Sequence, residues 1–305
     1  QKFDKAWKKC QKVLKKNPES LEEVYFSALI QSRVLAGDLF NPIEAQEKYK
    51  KAQQLYKEIT DVKKLEKLDE EKCYGIQDKG KCLEFLQSAI DAPREYVALD
   101  SETSSLYARD GYMLGFSMSY EPDHGCYCDA NIIDNEIEAK MQELFDKKTV
   151  VFHNAKFDLQ WFEYHFNFKF PKFEDTMLMH YMFDENPGTH GLKQLAMKHT
   201  PYGDYEKPLE DWGNNYRKQH GILKAAFSYD LIPFDIMKNY AAMDAVVTFL
   251  LYEKMSVSLA KNDKLKWVYD NILLEGCDFL KQVESNGVPF DLERLTLGQS
   301  IMQKD

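Results

Sequence analysis

The sequence lacks the features that mark membrane-spanning, secreted and zinc-binding proteins. No apolar run approaches the roughly 18 residues that a membrane-spanning helix needs, and no secretory signal opens the chain. The six cysteines include no Cys-x-x-Cys pair with the spacing of a zinc site. We therefore expect a protein with no membrane span and no zinc finger, whose thiols are reduced in a compartment that is not secretory.

Arginine is also scarce, because only five of the 40 basic residues are arginine. The formal net charge is −10. Phosphate binding depends on Lys and Arg, so this charge argues against a surface that binds nucleic acid all over. It does not exclude a local groove, because carboxylates that are neutralised by bound metal ions still count in the formal charge.

The 305 residues are enough for one large core or about two domains. Residues 1–92 contain few Gly or Pro and are predicted to be helical. Their first helix has a lysine face, which is either solvated or a contact for DNA or for a neighbouring domain. From residue 93 the pattern of strands followed by helices predicts a mixed α/β sheet, and residues 263–305 are again predicted to be helical.

The first candidate site lies at the end of a predicted strand. Val97, Ala98 and Leu99 are typical of a buried strand, and they lead directly into Asp100 and Glu102. Residues two apart on a strand point to the same side, so both carboxylates should face one point. They repel each other unless a cation lies between them, and oxygen ligands favour Mg²⁺ or Mn²⁺. The alternative is a solvated acidic pair, which is common.

Two later helices each carry an acidic residue one turn after a polar one. Asn154 and Asp158 share one face at the start of a predicted helix, where Asp158 is either a metal ligand or a favourable partner of the helix dipole. Tyr240 and Asp244 have the same spacing on a long helix predicted over about residues 234–260. Apolar neighbours surround Asp244, which favours a cation or a hydrogen-bond donor as its partner.

Together these motifs resemble those of the DEDD proofreading exonucleases, in the subclass with tyrosine in the third motif. Asp-x-Glu on a strand, Asn-x-x-x-Asp opening a helix and Tyr-x-x-x-Asp on a later helix occur in the expected order. Residues 173–180 and 190–196 are similar to the linking helices of this domain in family A DNA polymerases. Residues 274–291 are similar to the segment that leads into the polymerase, so the resemblance covers about residues 84–295.

The resemblance implies a domain organisation and a fold. We expect a ribonuclease H-like mixed sheet flanked by helices, formed by a 3′–5′ exonuclease domain over residues 93–262. A helical extension over residues 1–92 would precede it. Residues 263–305 would be the truncated helical start of a polymerase domain.

The resemblance also implies a metal centre with two divalent ions, Mg²⁺ or Mn²⁺. Asp100, Glu102, Asp158 and Asp244 would hold the ions, with Asp100 bridging them and Asp158 acting largely through water. Tyr240 would orient the attacking water, because an ordinary tyrosine pKa near 10 makes it a poor general base.

Four further residues are expected to bind substrate. By resemblance, Leu106 presses on the terminal base, while Asn154 and Phe157 contact the last nucleotides. Tyr205 is either an aromatic contact or a packing residue. Ser101 stands where many relatives carry Thr, a change that bears on substrate fit more than on catalysis.

The implied activity is removal of nucleoside 5′-monophosphates from DNA 3′ ends, chiefly single-stranded or frayed ones, as proofreading for a polymerase domain that follows in the chain. Two alternatives stay open: a catalytically silent DNA-binding module of a polymerase, and an exonuclease that trims RNA. The composition, rich in Lys and Asn, together with the resemblance, predicts a plastid (apicoplast) location.

Overall fold

A computed structural model describes residues 72–303. The chain divides into two compact units, residues 1–67 and residues 68–305, and every described residue belongs to the second. The helices predicted before residue 72 lie outside the described residues.

A six-stranded mixed sheet forms the centre of the described part of the chain, with strand order β1-β4-β3-β2-β5-β6. Strand β2 is antiparallel to β3 and parallel to β5, while β1 is parallel to β4 and β6 is parallel to β5. The strands are β1 (Cys73–Ile76), β2 (Tyr96–Thr103), β3 (Met113–Glu121), β4 (His124–Asp129), β5 (Thr149–Phe152) and β6 (Phe173–Asp175).

Strand β1 corrects the prediction that residues 1–92 are helical throughout. Its four residues pair with β4, and Tyr74 is aligned with Cys126. A strand this short carries no readable periodicity, and its position depends on a partner strand about 50 residues later. The sheet therefore begins before the boundary predicted at residue 92.

The helices pack on both faces of the sheet. Along the chain, several of them connect one strand to the next. Within the described residues they are α1 (Lys79–Asp91), α2 (Asn135–Lys147), α3 (Ala155–Phe166), α4 (Thr176–Tyr181), α5 (Leu192–His199), α6 (Lys207–His220), α7 (Phe234–Leu259), α8 (Asp263–Val268), α9 (Leu274–Asn286) and α10 (Leu292–Met302), with a π-helical turn at Tyr269–Leu273 between α8 and α9. None of them is both long and apolar enough to cross a membrane.

Alternation along β2 assigns its side chains to two different layers. Val97 and Leu99 belong to the apolar cluster that α1, α2 and α3 complete on one face. The alternate residues Ala98, Asp100 and Glu102 point to the opposite face, where α7 crosses β1 to β4. The two carboxylates of β2 therefore face α7.

Close packing determines how closely α7 approaches the sheet. A Cβ atom on Gly125 would lie 2.5 Å from the carbonyl oxygen of Ala242, and one on Gly75 would lie 2.5 Å from the ring of Phe234. Glycine at both positions lets the helix approach the strands directly. Asp244, two residues after Ala242, is thereby held against the sheet.

Residues 263–286, predicted to begin a separate domain, pack against the sheet unit. The hydroxyl of Tyr269 donates to Glu174 at 2.7 Å and accepts from the backbone N–H of Asp175 at 2.9 Å. Lys281 on α9 pairs with Glu163 on α3 at 2.6 Å. These contacts tie the π-helical turn and α9 to the sheet, in the same compact unit.

Candidate metal centre

Three carboxylates from two distant elements meet at the end of β2. Asp100 and Glu102 from β2 and Asp244 from α7 each offer an oxygen, and these oxygens lie within 4.8 Å of one another. Glu102 is 6% exposed and Asp244 is 4% exposed, while Asp100 is partly buried. The same-side prediction for the two β2 carboxylates is confirmed, and the Asp predicted on the long helix lies beside them.

Burial and mutual repulsion make this cluster unfavourable without a cation. Burial raises the pKa of Asp100 well above its usual value, and the charges of Asp158, Asp244 and Glu102 raise it further. Burial, together with the charge of Asp244, raises the pKa of Glu102 to about 8. Such a group of hard oxygen ligands fits a divalent cation of the Mg²⁺ or Mn²⁺ type.

Asp158 lies next to this cluster but outside the three-carboxylate group. Its Oδ1 atom accepts hydrogen bonds from the backbone N–H of Ser101 at 2.9 Å and from the Ser101 hydroxyl at 2.6 Å. Burial raises the pKa of Asp158 to about 7, although the bonds from Ser101 oppose the rise. The structure thus brings three of the four predicted ligands together. Ser101 holds the fourth predicted ligand, Asp158, beside Asp100, and no motif in the sequence indicated this role for Ser101.

Asp175 fixes the start of the helix that carries Asp158. Its two carboxylate oxygens accept from the backbone N–H groups of Asn154 at 3.1 Å and Ala155 at 2.8 Å. Asn154 adopts a left-handed conformation with φ 72° directly before α3, which asparagine tolerates better than most residues. Asn154 therefore forms a turn at the end of β5, and Asp158 follows on the first turn of α3.

A lysine that no sequence motif marks as a site residue completes the cluster. The ammonium of Lys193, on α5, forms an ion pair with Oδ1 of Asp244. The hydroxyl of Tyr205 donates to the same oxygen at 2.5 Å. The Lys193 Nζ lies 4.2 Å from the ring centroid of Tyr240 and 4.6 Å from that of Tyr205. Tyr205, predicted as a substrate contact or a packing residue, is thus a hydrogen-bond partner of the candidate ligand Asp244.

The other predicted substrate residues follow β2 or open α3 in the chain. Leu106 is 77% exposed in the segment that follows β2, and Phe157 lies on the first turn of α3, with its ring centroid 6.2 Å from that of Trp161. The segment that carries Leu106 is tied to the one before α7, because the Tyr112 hydroxyl donates to Asp230 at 2.7 Å. The substrate roles of Leu106, Asn154 and Phe157 stay predictions.

The fold and the site define a class of protein. Residues 75–260 match the family model described as 3′–5′ exonuclease. The chain belongs to this family, the 3′–5′ exonuclease domain of family A DNA polymerases.

Among its relatives, a DNA polymerase of Escherichia phage T5 is 43% identical over 232 residues, which cover 73% of this chain and 27% of the phage protein. DNA polymerase I of Rhizobium leguminosarum is 27% identical over 231 residues, which cover 66% of this chain and 21% of that protein. The chain thus spans about a quarter of the length of these two relatives.

Two solved structures resemble the described unit in fold. Escherichia coli RNase D, an exoribonuclease involved in structured RNA processing, superimposes with a TM-score of 0.53 at 14% identity, over 71% of this chain and 51% of that one. The POL domain of Pol1 from M. smegmatis, in complex with DNA primer-template and dNTP, gives a TM-score of 0.50 at 18% identity, over 76% of this chain and 35% of that one. The predicted ribonuclease H-like mixed sheet flanked by helices is confirmed.

Proposed function

We propose that this chain is a metal-dependent 3′–5′ DNA exonuclease of the DEDD class, tyrosine subclass, which proofreads for a family A DNA polymerase. The observation that carries the proposal is the convergence of Asp100, Glu102 and Asp244 within 4.8 Å at the end of β2. The family match and the polymerase relatives support the reaction class and DNA as the substrate. The plastid location expected from composition stays a prediction.

The donor set assigns the residues that would hold two divalent ions, Mg²⁺ or Mn²⁺. Asp100, Glu102 and Asp244 offer one cluster of oxygens, and Asp158 lies beside Asp100 for a second, more loosely held ion. Bound divalent ions lower the pKa of water and stabilise the oxygen that leaves phosphorus. The product would be a nucleoside 5′-monophosphate.

Tyr240 would orient the attacking water. Burial and the charge of Asp244 raise the pKa of the Tyr240 hydroxyl well above its usual value, so this group keeps its proton near neutral pH. A protonated hydroxyl donates a hydrogen bond and does not take a proton from water.

Ser101 would serve as a positioning residue, because its two hydrogen bonds hold Asp158 at the end of β2.

Exposed apolar side chains on α9, on α10 and between them support a polymerase domain as the partner. Phe279, Val283, Phe290, Leu292 and Leu297 are all exposed in this part of the chain. Exposed apolar side chains are often covered by another protein surface when they form a patch. The relatives are about four to five times as long as their match to this chain, so we assign these side chains to a contact with the polymerase portion of such a protein.

The proposed activity is tested by digestion of a single-stranded DNA oligonucleotide labelled at one end or the other. With Mg²⁺ we expect a 5′-labelled strand to shorten stepwise and a 3′-labelled strand to release labelled nucleoside 5′-monophosphate at once. A duplex with a mismatched 3′ end should be shortened faster than a matched one, because a frayed end costs less to unpair. A chelator should stop both reactions.

The controls decide between the candidate functions. An RNA strand of the same sequence should be digested more slowly than the DNA strand. Faster digestion of RNA would favour the RNA-trimming exonuclease. Binding of DNA without any digestion at millimolar Mg²⁺ or Mn²⁺ would favour the silent module.

A further inference from the structure

The proposed reaction gives no role to Lys193, although this side chain lies among the metal ligands. Its ammonium contacts the same Asp244 oxygen that accepts the hydrogen bond from Tyr205. The Lys193 side chain is 24% exposed and that of Asp244 is 5% exposed. The ion pair is therefore largely shielded from solvent. It also occupies the Asp244 oxygen that a divalent ion would need as a ligand.

Two tyrosine rings hold the ammonium in this position. The Lys193 Nζ lies 4.2 Å from the centroid of the Tyr240 ring and 4.6 Å from that of the Tyr205 ring, which are distances of cation–π contacts. It also lies 3.3 Å from the Tyr205 hydroxyl oxygen. A lysine held by one carboxylate and two aromatic faces is a built contact, unlike a solvated surface lysine.

The ammonium also acts on the other two carboxylates of the cluster. A carboxylate oxygen of Asp244 lies within 4.8 Å of oxygens of Asp100 and Glu102, so the ammonium that neutralises Asp244 also offsets part of their negative charge. In the protein without ions, Lys193 thus supplies part of the positive charge that the cluster requires.

We propose that Lys193 is an exchangeable counter-cation of the metal centre, which neutralises Asp244 before metal binding and is displaced from it when a divalent ion binds. This inference rests on the proposed function, because it requires a divalent ion at Asp244. Two cations on one carboxylate oxygen repel each other strongly in a site of low dielectric. Lys193 therefore keeps the carboxylates together in the absence of metal and lowers the affinity of the site for the ion.

The variant Lys193→Met removes the charge and keeps the length of the side chain. In the full 305-residue chain, we expect Mn²⁺ binding, measured by calorimetry and by electron paramagnetic resonance, to become roughly tenfold tighter. The Tm without metal should fall, because Asp244 loses its partner in a buried place. The rise in Tm on adding Mn²⁺ should be larger than in the wild type.

Two further variants serve as controls. Lys193→Arg keeps the positive charge and should bind Mn²⁺ with the wild-type affinity. Lys198→Met removes an exposed lysine from the same helix α5 and should change neither Mn²⁺ affinity nor Tm. Unchanged or weaker Mn²⁺ binding by Lys193→Met would overturn the inference. A wild-type chain that binds no Mn²⁺ would overturn the metal centre itself, and the two failures are thus distinguishable.

Amine acylation of the wild-type chain, read by mass spectrometry, tests displacement without any variant. Mg²⁺ should increase the acylation rate of Lys193 several-fold, because the displaced ammonium leaves its partner and becomes accessible. The rate at Lys198 should not change. A rate at Lys193 that stays the same or falls on adding Mg²⁺ would show that the ion does not displace this lysine.

Discussion

Replacing both β2 carboxylates, Asp100→Asn with Glu102→Gln, is expected to lower the rate of 3′ nucleotide removal by on the order of 10³-fold or more, which corresponds to about 4 kcal/mol of transition-state stabilisation. The amide side chains keep the shape of the site but lose the two negative charges that would hold a divalent ion beside Asp244. Binding of single-stranded DNA should persist, because the surface that surrounds the site is unchanged.

The same double variant should gain stability in the absence of metal. The pKa of both acids is raised in the folded state, so their contribution to stability is present at low pH and is lost as the pH rises towards about 8 for Glu102. Neutral amides remove that loss, so the Tm of the double variant at pH 8 without metal should be higher than that of the wild type. Mn²⁺, which should raise the Tm of the wild type, should leave that of the double variant unchanged.

Glu136 and Glu138 on α2 provide a matched control for this variant. They are also two positions apart in the chain, but they lie away from the cluster. Glu136→Gln with Glu138→Gln should digest DNA at the wild-type rate. If the Asp100 and Glu102 double variant digested DNA as fast as this control, the metal centre would not be at the end of β2.

Asp175→Ala is expected to have the largest effect on folding, with a loss of about 3 to 5 kcal/mol in the free energy of unfolding. The buried Asp175 carboxylate accepts from the backbone N–H groups that open α3 and also from those of Met177 and Leu178 in α4. The alanine variant leaves these donors without their carboxylate partner, at a position where the Asp175 side chain is buried. Urea denaturation followed by circular dichroism measures the loss.

Asp78 provides the comparison, because it caps α1 through a single bond from the N–H of Lys81 at 2.9 Å on an exposed surface. Asp78→Ala should cost only about 1 kcal/mol, the usual value for an exposed N-cap. Asp175→Ala should also slow digestion, since α3 carries Asp158. A loss no larger than that of Asp78→Ala would contradict the role assigned to Asp175.

The parts of the fold and site that follow a regular period could be predicted from the sequence. Alternation placed Asp100 and Glu102 on one side of β2, as observed. The helical period placed Tyr240 and Asp244 one turn apart on a helix whose observed bounds, Phe234–Leu259, nearly match the predicted ones. These features depend only on residues that are close in the chain.

The parts that depend on contacts between distant residues could not be predicted in this way. Strand β1 is defined by its pairing with β4, and nothing local marks its four residues as a strand. Ser101 and Asp158 are 57 residues apart, and Lys193 and Asp244 are 51 residues apart. A lone serine or lysine in a sequence rich in lysine carries no spacing signal, so only the folded chain reveals these two residues as parts of the site.

We expect the carboxylates of β2 and α7 to hold divalent ions, and crystals soaked in millimolar Mn²⁺ provide the sharpest test. Anomalous scattering at the manganese edge should show a peak coordinated by Asp100, Glu102 and Asp244, with the ammonium of Lys193 moved away from Asp244. An absence of anomalous density among these three carboxylates, in crystals that diffract well enough to show it, would mean that they do not form a metal centre.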